Sequence, residues 1–259
     1  MQPQTFPAGE TPRVTITGCQ GALNVEFWDR RDFVAEPSLP ESAIDRENAA
    51  LIIHQARADI RLRVPAATEI AIEDHNGDVR IATIDGSVRL RDINGSVFVT
   101  GAGRLAIERD QLLRRRPSSP RPRRDVEAHE IGTAEIAEVH GNLVLVTAQR
   151  AAVSDIGGNA RIHDIASDLT LDNVGGSCEI ARIGGTLALS NVGGNCRIES
   201  ISGSLRAGHI GGSADFRATG PILTLGSIGG NLTLTDAPLG QEAVAAHAGS
   251  MTVGGSARI

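Results

Sequence analysis

The sequence contains very few aromatic residues: one Trp, five Phe and no Tyr among its 259 residues. A broad globular core is therefore not expected, because aromatic side chains supply much of the buried area in such cores. Apolar residues still make up 41% of the chain. We therefore predict a thin core filled by Ile, Val, Leu and Ala.

Cysteine, lysine and long apolar runs are also scarce or absent. Three Cys are too few for a secreted disulfide scaffold, and all 25 basic residues are Arg, from which we infer no function. No run approaches the roughly 18 apolar residues of a membrane-spanning helix. The N-terminus lacks the charged and apolar regions of a signal peptide. We expect a cytoplasmic protein, with cell-surface or envelope association as the alternative.

A nine-residue repeat runs through the C-terminal half. From Ile156 the chain reads IGGNARIHD, IASDLTLDN, VGGSCEIAR, IGGTLALSN and VGGNCRIES, and four further units keep the frame. Positions five and seven are small or aliphatic, while positions four, six and eight are mostly polar. This alternation predicts a short strand with one buried face. The Gly pair predicts the turn, because glycine accepts positive φ.

Alternate units differ, so the structural repeat is one coil of two nonapeptides. Position five is small in one set of units and large in the other: Ala160, Cys178, Cys196 and Ala214 against Leu169, Leu187, Leu205 and Leu223. At the outward position six, charges alternate from one coil to the next, in the order Arg161, Glu179, Arg197 and Asp215. Stacked coils would place these opposite charges side by side. We predict an all-β, parallel β-solenoid with two strands per coil, right-handed by the usual crossover rule.

The same nonapeptide frame divides the rest of the chain. We predict N-terminal capping strands over 1–65, a first solenoid block over 66–110 and a second block over 130–259, continuous with the first. Between the blocks, residues 111–129 interrupt the repeat as an Arg, Pro and Ser-rich flexible insert. The two blocks could also be separate stacks.

The run RVPAATEIAIEDHNGDVRIATIDGSVRLRDINGSVFV resembles bacterial adhesin-type β-solenoids of the auto-transporter adhesin-head (GIN) type. The NGDV, DGSV and NGSV corners carry the resemblance, which covers about residues 60–259. It implies the solenoid fold and no shared catalytic site. A more distant similarity is to bactofilins, short β-solenoids that polymerise end to end, and this similarity implies filament formation.

Motifs for catalysis or cofactor binding are weak. Gly101, Gly103 and Ala106 mimic a dinucleotide fingerprint, but they fall in the strand frame rather than before a helix. The Gly-rich units lack the aspartate of calcium β-rolls. Cys178 and Cys196 could form a dithiol or metal pair, although alanines continue their column and favour small core residues. We predict no enzyme, no cofactor and no metal; carboxylates clustered in a deep groove would favour a solenoid enzyme instead.

Two features outside the repeat are candidate sites for partners. The net charge is −6, yet six arginines lie in RRRPSSPRPRR. These arginines are candidate contacts for an acidic protein or an anionic surface: Arg114, Arg115, Arg116, Arg121, Arg123 and Arg124. The alternative is that they belong to a solvated loop that binds no partner. No aromatic residue interleaves them, so nucleic-acid binding is not predicted. The unfinished repeat at the C-terminus is a candidate self-association edge, with Val253, Ala257 and Ile259.

Two functions follow as hypotheses. The first is a non-enzymatic structural solenoid that self-associates into homo-oligomers, possible filaments or a scaffold. The alternative is an adhesin-like or envelope-associated binding module that uses its flat walls or its Arg-rich segment.

Overall fold

The computed structural model describes residues 3–47, 50–108, 124–220, 222–236, 246–247 and 251–254. The chain forms two compact units, Met1–Thr133 (unit 1) and Ala134–Ile259 (unit 2). In the described residues, strands are joined by turns and by one 3-10 turn, Glu41–Ala43. None of the helical structure there has the length and apolar character needed to cross a membrane. The predicted all-β solenoid fold is confirmed.

The strands are short in the N-terminal part and lengthen toward the middle of the chain. In unit 1 they are β1 (Gln4–Pro7), β2 (Arg13–Thr17), β3 (Leu23–Phe27), β4 (Asp32–Glu36), β5 (Ile44–Glu47), β6 (Ala50–His54), β7 (Ile60–Val64), β8 (Glu69–Glu73), β9 (Val79–Arg91) and β10 (Val97–Glu108). The unit boundary falls within β11 (Val126–Ala137). Because β11 begins at Val126, the last four residues of the segment 111–129 are part of a strand.

The strands of unit 2 follow the nonapeptide frame closely. They are β12 (Leu143–Ile156), β13 (Ala160–Ile165), β14 (Leu169–Val174), β15 (Cys178–Ile183), β16 (Leu187–Val192), β17 (Cys196–Ile201), β18 (Leu205–Ile210), β19 (Ala214–Thr219), β20 (Ile222–Leu225), β21 (Ser227–Ile228), β22 (Leu232–Thr235), β23 (Ala246–His247) and β24 (Met251–Gly254).

The coils of unit 1 do not stack in the order of the chain. Strand β2 lies between β6 and β8, parallel to both, and β3 lies between β7 and β9 in the same way. The coil made by β2 and β3 is therefore inserted between two later ones. Strands β9 and β10 then pair in parallel along almost their whole length.

Antiparallel strands cover the first coil of unit 1. Strand β4 pairs antiparallel with β7, and β5 pairs antiparallel with β6. Strand β1 adds antiparallel to β4. Of the residues predicted as a cap, β1, β4 and β5 cover the edge of the stack, whereas β2, β3, β6 and β7 are coils within it. The buried Phe6 and Phe33 supply bulk that the repeats lack.

Unit 2 stacks its strands in parallel, each on the strand one coil further along the chain. Cys178 is paired with Cys196 and Leu187 with Leu205, as the column pattern predicts. The register shifts where β18 meets β20, so that Leu205 pairs with Ile222. The prediction that Leu223 continues the leucine column is therefore wrong. In the sequence of that unit, proline stands at position three, where the other units have Gly or Ser, and proline has no N–H to donate.

Several corners turn through position nine, two residues before the Gly pair or the residues that replace it, and not through the glycines. Non-glycine residues at position nine have φ between 53° and 59°, in the left-handed region: Asp164, Asn173, Arg182 and Ser200. In the described residues, positive φ occurs at Gly18, Gly21, Gly77 and Gly101, and at no Gly of these pairs. The expectation that the pairs supply positive φ is wrong. A Cβ on Gly193 would instead lie 2.5 Å from the carbonyl oxygen of Gly175, so close coil stacking requires glycine there.

Asn and Ser at position four connect the coils at one corner of unit 2. The Asn159 Oδ1 accepts a hydrogen bond from the Ser177 N–H at 2.8 Å, and the Ser177 Oγ accepts one from the Asn195 N–H at 3.2 Å. The Asn195 Oδ1 continues the series to the Ser213 N–H at 2.8 Å. These side chains satisfy corner amides that the parallel ladder leaves unpaired.

Candidate binding surface

Paired charges cover much of the outer face of unit 2. Arg161 Nε donates to Glu179 Oε2 at 2.9 Å across neighbouring coils, and Arg182 pairs with Asp164 in the same way. The hydrogen bond from Arg161 lowers the pKa of Glu179, and the one from Arg182 lowers the pKa of Asp164. Exposed pairs of this kind contribute about 0–1 kcal/mol each. These ion pairs keep the two carboxylates charged and bound to arginine side chains.

The charged residues at position six stack in the predicted register, but only some of them form the predicted ion pairs. Arg197 stands between Glu179 and Asp215 in the parallel ladder. Its guanidinium nevertheless pairs with Glu199, two residues along its own strand, at 2.7 Å. Asp215 likewise pairs with Arg217 at 2.7 Å. A side chain two residues away lies on the same face of the strand, so it competes with the neighbouring coil.

The cysteines are core residues. Cys178 and Cys196 are 3% and 2% exposed and are stacked on each other, as free thiols. The hydrogen bond to Cys196, together with burial, raises the pKa of Cys178 well above its usual value. Burial also raises the pKa of the buried Cys19. The raised pKa values hold Cys19 and Cys178 in the thiol form, so a thiolate nucleophile or ligand is disfavoured at these two residues.

His75 is the buried histidine of unit 1. It is 2% exposed, and neither ring nitrogen has a hydrogen-bond partner of normal geometry. Burial lowers the pKa of His75, and the Gly21 carbonyl and the Asp78 carboxylate only partly oppose this shift. The described residues include no cluster of three or more His, Cys, Asp or Glu that could hold a metal ion.

A depression of about 450 Å³ lies on the outer wall of unit 1. Arg89 is one of its lining residues, and the neighbours of Arg89 in the two adjacent coils are Ala71 and Ala106. These small side chains leave open space on both sides of the exposed guanidinium. Further lining groups are Ser87, Arg104 and the ion pair of Arg13 with Glu69, at 2.9 Å.

A second depression of about 450 Å³ lies on a wall of unit 2. Arg206 lines it and stands between Ala188 and Thr224 in the ladder. Ser190, Asn191 and His209 line the same space with hydroxyl, amide and imidazole groups. The two depressions share one arrangement, an exposed arginine between small or neutral residues.

The sequence-based analysis missed both arginines, although their signal is present in the sequence. In unit 2, position six of every second repeat reads Thr170, Ala188, Arg206 and Thr224. A search of each outward column for a cation without an acidic neighbour one coil away finds Arg206. Arg89 is harder to find, because a shift in register between β9 and β10 places Ala106 beside it, one position away from the regular spacing.

The sites predicted from the sequence fall largely outside the described residues. This applies to five of the candidate arginines and to both terminal candidates: Arg114, Arg115, Arg116, Arg121, Arg123, Ala257 and Ile259. Arg124 is described and lies shortly before β11, and Val253 lies in β24 opposite Leu234. Gly101, Gly103 and Ala106 lie within β10 rather than before a helix.

No protein-family model matches the sequence, and no curated protein matches it. Among solved structures, the chain is similar to the crystal structure of a putative adhesin from Parabacteroides distasonis, with 11% sequence identity and a TM-score of 0.34. The similarity covers 98% of this chain and 96% of that chain. These comparisons confirm neither the GIN type nor the bactofilin resemblance.

Proposed function

We propose that the chain is a non-enzymatic β-solenoid binding module that holds an acidic polymer on its outer walls. The observation that carries this proposal is a contrast in exposure. The thiols and His75 are buried, where a surface ligand does not reach them. Arg89 and Arg206 are exposed on the walls. An arginine fork binds carboxylate or sulfate oxygens through two parallel hydrogen bonds.

The net negative charge of the chain restricts such binding to the places where arginines are exposed. The chain carries a net charge of −6, so it repels a polyanion at long range. Binding then depends on the places where guanidinium groups face the ligand. The Arg-rich segment between 114 and 124 is a second location for the same function.

The proposed function is tested by binding of the purified chain to immobilised polygalacturonate and heparin, with neutral dextran as the control. We expect binding to the acidic polymers that weakens as salt rises, and no binding to dextran, because exposed charges are screened by salt. The length of the polymer, followed by size-exclusion chromatography, should not change during incubation. Absence of binding, or shortening of the polymer, would contradict the proposal.

Self-association is a second candidate, favoured by the edge of the ladder in unit 2. Among the described residues, β24 is paired on one edge only, with β22. An unpaired edge can accept a strand from another copy. The first coil of unit 1 is covered by β4 and β5. Pairing of β24 with β24 of a second copy would join the two copies into a dimer.

Sedimentation velocity over a hundredfold concentration range tests this candidate. We expect a monomer–dimer equilibrium, which Thr252→Pro or Val253→Pro should shift to monomer, because proline removes the N–H that an added strand needs. Two neighbouring positions are used because adjacent amides of a strand point in opposite directions. Circular dichroism checks that both variants stay folded. A monomer at every concentration, or ordered filaments in electron micrographs, would rule the dimer out.

A further inference from the structure

Arg89 and Arg206 differ from many other arginines on the described walls. Arg13 pairs with Glu69, and Arg161 pairs with Glu179. The structure shows no ion pair for Arg89 or Arg206 within the described residues. These two arginines have no ion pair there because the residues stacked beside them in the neighbouring coils are alanine or threonine. At other arginines, a carboxylate occupies such a position.

The surroundings of Arg206 indicate the chemistry of the missing partner. One cation is accompanied by neutral hydrogen-bonding groups from Ser190, Asn191 and His209. The His209 Nδ1 contacts Ser227 Oγ at 2.6 Å, which leaves its other ring nitrogen for a ligand. The Asn191 amide nitrogen donates to Asn173 at 2.9 Å, which leaves its oxygen as an acceptor. A ligand that fits has one oxyanion and several hydroxyl groups.

The depression at Arg89 also combines an arginine with a hydroxyl group, and it contains more positively charged groups than the depression at Arg206. The Ser87 hydroxyl and the Arg104 guanidinium lie in the same depression. Ala71 and Ala106 are the neighbours of Arg89 in the adjacent coils, so no large side chain stands beside the guanidinium there. Each depression, at about 450 Å³, falls within the range of roughly 300–1,000 Å³ of small-ligand sites.

We propose that Arg89 and Arg206 each bind the carboxylate or sulfate of an acidic sugar residue, with the neighbouring hydroxyl, amide and imidazole groups contacting sugar hydroxyls. This proposal rests on the function proposed above and assigns it to two places. The ligand is an acidic polysaccharide whose sugar rings lie against the wall. Each arginine supplies a two-pronged contact to the oxyanion.

The test compares two double variants that remove equal charge from the walls. Arg89→Ala with Arg206→Ala removes the proposed contacts, and Arg161→Ala with Arg197→Ala removes two ion-paired arginines as the matched control. Both are made in a background that removes the six arginines of the Arg-rich segment by substitution to Gln: Arg114, Arg115, Arg116, Arg121, Arg123 and Arg124. Binding to polygalacturonate and to heparin is measured by biolayer interferometry. Free galacturonate and inorganic sulfate serve as competitors.

We expect the Arg89 and Arg206 variant to weaken the Kd at least tenfold and the control variant to change it less than twofold. Competition by galacturonate but not by sulfate identifies a carboxylate sugar, and the reverse identifies a sulfated one. Equal weakening in both variants, or none in either, would overturn the assignment. If the unmodified chain binds and the background does not, the Arg-rich segment holds the polymer. The wall sites are then wrong, and the proposed binding of an acidic polymer stands at its second location. If neither binds, both proposals fail.

Discussion

Replacing Gly193 with alanine is expected to lower the free energy of unfolding of unit 2 by about 3 kcal/mol. The added Cβ would lie 2.5 Å from the Gly175 carbonyl oxygen of the neighbouring coil. That backbone is held on both sides of the contact, because the Gly193 N–H donates to Val174 and the Gly175 N–H donates to Ile156, both at 2.7 Å. The coils must separate or break a hydrogen bond to admit the methyl group.

Ser202→Ala is the matched control for this substitution. Ser202 occupies the same position two of its repeat, and its N–H donates to Ile183 at 2.9 Å in the same pattern. It already carries a Cβ, so removal of its exposed hydroxyl should change the stability by less than about 0.5 kcal/mol. Urea denaturation followed by circular dichroism measures both variants. Equal stability of Gly193→Ala and the natural chain would show that close coil approach does not select glycine there.

The same corner shows how far the sequence specifies this fold. The pairing of nonapeptides into coils, the Cys178 and Cys196 column and the inward leucines follow from side-chain alternation alone, since alternation fixes which face is buried. The role of the Gly pairs does not follow from it. Positive φ and close backbone approach both select glycine, and only the φ values and the carbonyl distances separate the two causes.

The stacking order of unit 1 could not be predicted for a different reason. The sequences of β2 and β3 alternate like any other coil of the repeat, and alternation does not identify the partner strand. Insertion of this coil between β6–β7 and β8–β9 depends on contacts distant in sequence. The depression at Arg89 depends in turn on that insertion, because the pairing of β2 with β8 places Arg13 beside Glu69 in its lining.

His75→Ile is expected to raise the free energy of unfolding of unit 1 by about 1–2 kcal/mol at pH 7. His75 is buried with both ring nitrogens unpartnered, and an unsatisfied buried polar group costs stability. Position one of the repeat is Ile or Val in most other units, including Ile93 in the next coil and Val174 in unit 2. An isoleucine at this corner therefore matches the environment that the fold already provides.

The gain from His75→Ile should increase as the pH falls. Burial lowers the pKa of His75 in the folded chain below the value of about 6.5 in the unfolded chain. The unfolded chain then binds the proton first, so stability that is fully present above pH 6.5 is lost as the pH falls toward the folded pKa. This loss has a limiting slope of about 1.4 kcal/mol per pH unit, and the isoleucine variant lacks it.

Trp28, the single tryptophan of the chain, lies in unit 1 and reports its unfolding by fluorescence. Urea titrations of the natural chain and of His75→Ile at pH 8, 7, 6 and 5 give both stability profiles. The difference between them should be constant from pH 8 to 7 and should widen below pH 6.5. A constant difference down to pH 5 would mean that the imidazole gains a proton as readily in the folded corner as in the unfolded chain. The buried, unpartnered ring would then be open to water or to the Asp78 carboxylate in solution.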